Sequence, residues 1–293
     1  MAVYERRFEP YDGPLTTASA RRWVIPRFAF AEILRSRIAL ITFVAGFAVP
    51  VACGAVIYAR QNATVLELFG DEIVRQVTIG TDFFTLYLIL QGWLALVLAL
   101  VVGPPLVARD MTDNALPLYL SRPLSRLDYG MGKLLVLLAP LSAITWMPAL
   151  LLGLLQYGFD GSAWWTEHGR AVWATVAGSW ALILPLSLVT LALSSVVQRR
   201  WVARGLMLGA VFVSRGMAEA INGVLDTRWG YLISPTRVLG SVWSQLFDGG
   251  TLLTITGGRR MPPESGWAVL ALVCVAGAIV LASRIRAYEE VRT

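Results

Sequence analysis

Charge is scarce in this sequence. Only 15% of its 293 residues are Asp, Glu, Lys or Arg, against about 25% in an ordinary soluble domain. Histidine occurs once, at His168, with Glu167 as its sole acidic neighbour in "WWTEHGR". That argues against a metal centre and against an intramembrane metalloprotease, which needs several ligands. The two cysteines, Cys53 and Cys274, lie inside apolar runs without a neighbour at disulfide or metal spacing, and read as small buried residues. Lysine also occurs once, at Lys133, in "GMGK" (130–133). A phosphate loop needs G-x-x-x-x-G-K-[ST] after a strand. Here the spacing is wrong and Leu134 follows, so no nucleotide binding is expected. No cleavable signal peptide is read, because the first apolar run starts near residue 38 and exceeds a signal h-region.

What the chain has instead is apolar length: 56% hydrophobic residues and a mean hydropathy of +0.63. Several runs exceed the roughly 18–20 residues that cross a bilayer core as a helix. The expected fold is an all-α polytopic membrane protein with spans at about 38–59, 83–107, 130–156, 171–197, 202–221 and 266–283. Residues 1–20 read as a flexible tail and 21–293 as one transmembrane domain. The net charge of +6 is spread in short clusters that flank these runs, which excludes a nucleic-acid face and points to topology. Seventeen of the 25 basic residues fall on the side holding both termini and the loops at about 108–133 and 198–204. By the positive-inside rule that side is cytoplasmic.

Two further amphipathic segments stand out. "RRWVIPRFAFAEILRSR" (21–37) alternates apolar residues with five arginines, and after Pro26 reads as a helix lying among lipid headgroups. "SPTRVLGSVWSQLF" (234–247) places Val238, Val242 and Leu246 at helical spacing, a short external helix before the last span.

The segment 108–138 interrupts the apolar pattern. Asp110, Asp113 and Asn114 are helix-start residues, and a cap at Asn114 would put Pro117 in a first turn. Leu116, Tyr119 and Leu120 would share one face, and Pro123 would stop the helix. So short a helix needs a partner to pack against. Arg126 and Lys133 would sit at headgroup level as the chain re-enters the membrane.

This segment resembles the signature of type-2 ATP-binding-cassette export permeases. The pattern has an acidic residue after the second span, a short leucine-rich helix, a "sRPlsR" motif and a Gly-Lys opening the third span. Here these are Asp110, "LPLYL" (116–120), "SRPLSR" (121–126, with Arg122, Pro123 and Arg126) and "GK" (132–133). "DNA" (113–115) departs from the Gly-Thr of many members. The six spans and the two amphipathic helices extend the resemblance over nearly the whole chain. It implies that the 108–126 helix couples to a separate ATPase subunit, which binds ATP and magnesium while this chain binds neither. It also implies a second permease copy, as homodimer or heterodimer, in the cytoplasmic (inner) membrane.

Polar residues within the spans are functional candidates by default. Gln91 and Trp93, and Arg215 and Glu219, could line a translocation path. Arg215 and Glu219 stand four residues apart on one helix face, so they read first as a self-neutralised pair near the external end. Ser187, Thr190 and Ser194 read as helix contacts, and "GLMLG" (205–209) permits close helix approach. The expected function is ATP-driven export or translocation. The alternatives are mechanical or maturation work on an envelope component and, further off, an intramembrane enzyme.

Overall fold

The computed structural model describes residues 23–62, 77–113, 125–197, 199–248 and 263–290. All regular elements among them are helical: α1 (Val24–Arg35), α2 (Arg37–Ala45), α3 (Ala48–Gln61), α4 (Thr81–Thr112), α5 (Arg126–Ile144), α6 (Trp146–Val196), α7 (Arg200–Leu225), a 3₁₀ turn (Trp229–Ile233), α8 (Pro235–Leu246) and α9 (Pro263–Glu290). Among the described residues, four stretches are long and apolar enough to cross a membrane: Arg37–Gln61, Thr81–Thr112, Leu127–Val196 and Glu264–Arg286. The chain is an all-α membrane protein.

The third of these stretches, at 70 residues, would be about 105 Å long if straight, more than three times a bilayer core. It folds back at Gly161, whose φ of 70° and ψ of −160° belong to glycine. The two limbs then run side by side. Tyr157 meets Trp165 with ring centroids 5.9 Å apart, and Trp146 stacks on Trp180 at 6.3 Å. A Cβ on Gly153 would lie 2.8 Å from Val172, so glycine sets the closeness of this hairpin. The expected third and fourth spans therefore meet at Gly161: the third runs on past 156, and the fourth starts well before 171.

Interior prolines each remove one N–H and strand the carbonyl four residues earlier. At three of these prolines a polar side chain from another helix reaches the freed carbonyl. Pro50 strands Gly46 O, and Gln91 Nε2 donates to it at 2.8 Å. Pro104 strands Leu100 O, and Arg204 Nε donates to it at 2.9 Å. Pro148 strands Ile144 O, near which the Tyr87 hydroxyl donates to Thr145 O at 2.6 Å and more weakly to Ile144 O at 3.4 Å. In the same spirit Ser194 Oγ donates to Pro104 O at 2.7 Å and accepts from Val107 N and Ala108 N. Gln91, fully buried, thus forms part of a helix joint. Thr190 packs its methyl against Gly103, where a Cβ would collide with it.

The amphipathic helix α1 begins three residues earlier than expected, with Pro26 tolerated in its first turn. It buries Ile25, Pro26 and Ala29, and a Cβ on Gly132 of α5 would lie 3.3 Å from Ile25. Trp23 at its N-cap and Phe28 within it are 63% and 72% exposed, as suits a helix bedded in headgroups. At the other end of the bundle, α7 ends at a left-handed Asp226. The chain then turns back through the 3₁₀ turn into α8, which spans almost the residues its pattern predicts. Val238 and Val242 of α8 are buried against Ala181 and Leu270, and Trp243 Nε1 donates to Gly178 O at 3.1 Å. Because Trp243 reaches both Gly92 and Gly178, inside the lengths of α4 and α6, α8 is wedged into the bundle and does not lie on top of it.

Candidate functional site

The end of α4 and the start of α5 frame the segment singled out by sequence. Asn114, Leu116, Tyr119, Leu120, Arg122 and Pro123 lie outside the described residues, so the expected short helix does too. Its two anchors are described. On the α4 side, Asp110 is largely buried; on the α5 side, Lys133 and Tyr129 are buried. Lys133 Nζ lies 2.8 Å from Asp110 Oδ2, and the Tyr129 hydroxyl donates to the same oxygen at 2.8 Å. The ammonium also stands 5.7 Å from the centre of the Tyr129 ring. Lys133 therefore turns inward to a partner 23 positions before it, where a headgroup position was expected.

A buried pair of this kind is a geometric constraint more than a source of stability. It fixes where the chain leaves α4 relative to where it enters α5. The entry itself is capped: Ser125 Oγ accepts from Asp128 N at 3.1 Å while Asp128 Oδ2 accepts from Ser125 N at 3.2 Å. Arg126 is the first residue of the helix so started. On the exposed rim Arg109 pairs with Glu32 of α1 and, at 3.6 Å, with Asp113. Three elements, α1, α4 and α5, are thereby tied at one end of the bundle by charges that the apolar spans otherwise avoid. Tyr129 and the Ser125–Asp128 box were missed in the sequence, although S-x-x-D ahead of an apolar run is a capping signature.

The other candidates separate. Trp93 stacks on Phe212 of α7 (6.0 Å, 21°) and, with Arg215, lines a cavity of about 420 Å³ between α4, α6, α7, α8 and α9. Glu219 does not line it. Its partner is Arg237 of α8, not Arg215, because α8 folds back alongside α7 and brings a second guanidinium to it. Ser187 and Ser194 are fully buried helix residues. His168 stacks on Trp164 (5.8 Å, 6°), with Nδ1 3.9 Å from Glu167. Among the described residues no group of three His, Cys, Asp or Glu is gathered to hold a metal ion.

The fold and this clamped end define the class, a helical membrane protein with a charged, tied cluster at one end of its bundle. No protein-family model matches the chain, and no curated protein matches it.

Proposed function

We propose that the chain is the membrane-spanning permease subunit of an ATP-binding-cassette exporter, and that residues 108–126 receive the movement of a separate ATPase subunit. The observation that carries this is the Asp110–Lys133–Tyr129 clamp. The acid after the second span and the lysine opening the third, the two ends of the family-like pattern, are the residues that bind each other. A segment so held cannot be pushed without moving α4 and α5 together. ATP-driven closure of the partner would tilt those helices between inward- and outward-facing arrangements.

On this reading six crossings are made by α2–α3, α4, α5 continued to residue 160, the limb 162–196, α7 and α9. α7 carries Arg204, Arg215 and Glu219, and crosses within the bundle by pairing those charges or placing them on a cavity. Both termini and the 108–126 segment face the cytoplasm, on the side richer in arginine. A second copy packs on α7, where Gly205, Gly209, Gly216 and Gly223 all face open space and Phe212, Val213 and Met217 are exposed. The chain itself supplies no hydrolytic chemistry.

The test is purification of the tagged full chain from its own membranes in a mild detergent. A co-eluting subunit that hydrolyses ATP is expected, with loss of that subunit on combining Arg122→Glu and Arg126→Glu. Activity and association that survive this variant, and also Leu116→Asp with Leu120→Asp, reject the proposal.

A further inference from the structure

Arg215 stands on the wall of the 420 Å³ cavity without an ion-pair partner among the described residues. The acidic residue best placed for it by sequence, Glu219, is engaged by Arg237, whose guanidinium also lies 5.4 Å over the Tyr231 ring. Arg237 lines the same cavity. Among the described residues, that end of the cavity is lined by the two guanidinium groups of Arg215 and Arg237, with the single carboxylate of Glu219 reaching Arg237 from outside the lining. Apart from the hydroxyls of Thr236, Ser241 and Ser244, the lining is mostly apolar, with Leu96, Leu182, Pro185, Met207 and Val211 along its walls. Its rim reaches the surface at Trp93 and Ile233, which are 43% and 51% exposed. The volume lies in the range of cavities that take small molecules, about 300–1,000 Å³.

A cation inside a membrane helix is costly unless it meets water or an anion. Guanidinium offers a planar fork that suits carboxylate and phosphate oxygens. We propose that this cavity is a binding site for an anionic amphiphile, its carboxylate or phosphate group on Arg215 and its alkyl chain along α4 and α6 toward Leu96 and Pro185. A neutral amphiphile would leave the excess charge unmet, and a free inorganic anion would leave the apolar lining empty. The inference rests on the reading that α7 crosses the bilayer, but not on an ATPase partner.

The purified full chain, in the neutral detergent dodecyl maltoside, is examined by native mass spectrometry with four probes. These are dodecyl phosphate, dioleoylphosphatidylglycerol, dioleoylphosphatidylcholine and inorganic phosphate. Preferential occupancy by dodecyl phosphate identifies a single-chain ligand, and by phosphatidylglycerol a bilayer lipid; either supports the site. Arg215→Gln is expected to weaken the preferred probe about tenfold, the scale of one charge-assisted contact, while Arg215→Lys retains most of it. Ala210→Phe, which fills the cavity from an exposed wall and leaves every charge in place, is expected to lower occupancy as well. Equal occupancy by phosphatidylcholine, competition by inorganic phosphate alone, or binding unchanged in Arg215→Gln or in Ala210→Phe overturns the proposal. Because no ATPase enters the experiment, loss of binding alongside intact ATPase association removes this site only, and the converse removes only the exporter reading.

Discussion

Replacing Lys133 by methionine keeps the apolar stem and deletes the charge, leaving the Asp110 carboxylate with the Tyr129 hydroxyl alone. The side chains of Lys133 and Asp110 are 7% and 15% exposed, so little water can take the lost partner's place. Breaking a buried pair from one side costs about 3–5 kcal/mol, and the residual exposure of Asp110 places this variant at about 3. Asp110→Asn strands the more buried lysine and is expected to cost about as much, tempered by the hydrogen bond that the amide still offers Tyr129. The double variant leaves no charge unpaired. Its cost is expected near or below about 1 kcal/mol, since uncharged replacements of a whole buried pair are often neutral. The two single effects are then strongly non-additive, as contacting residues should be. Equilibrium unfolding in mixed dodecyl maltoside and dodecyl sulfate micelles measures all four corners of the cycle. Single variants each costing under about 1 kcal/mol, or a double variant equal to their sum, would refute the buried clamp.

Other consequences follow from the helix joints. Gln91→Leu strands the Gly46 carbonyl and is expected to cost about 1–3 kcal/mol. Adding Pro50→Ala, which returns an N–H to that carbonyl, should recover part of it in the same unfolding assay. Gly103→Ala drives a methyl into Thr190 and should cost about 1–3 kcal/mol, the range for overpacking. Thr190→Ser, by removing the methyl it meets, should relieve most of that loss. Ser125→Ala removes one half of the capping box at α5 and should cost about 1 kcal/mol, read as a lower midpoint of unfolding, whereas Ser125→Asp should be close to neutral.

Local patterns carried far in this chain. Helical spacing of Val238 and Val242 was enough to place α8, because both residues do face a core. Apolar run length placed the long helices, and the same hydropathy blurred the turn at Gly161. Fourteen prolines are scattered through apolar and polar stretches alike. Which side chain takes the carbonyl that a span proline frees is not legible in sequence: Gln91 is 45 positions from Gly46, and Arg204 is 104 from Leu100. The same limit explains Arg215 and Glu219. Four-residue spacing on one helix made them a natural pair, and a tertiary neighbour, Arg237, won because α8 folds back along α7. Lys133 followed the rule for basic residues at membrane edges until a buried carboxylate offered a closer partner. Sequence could place Asp110 and Lys133 at the two ends of one segment; only the packing of α4 on α5 brings them within 2.8 Å.

The central claim is that the 108–126 segment touches an ATP-hydrolysing partner. A photo-crosslinking amino acid placed at Leu116 or Leu120 of the full chain, activated in intact cells, tests it most directly. The account predicts a single major adduct with a polypeptide that binds and hydrolyses ATP, suppressed by Arg122→Glu with Arg126→Glu. Adducts with lipid alone, or with proteins that hydrolyse no ATP, while the chain remains folded in the membrane, would contradict it.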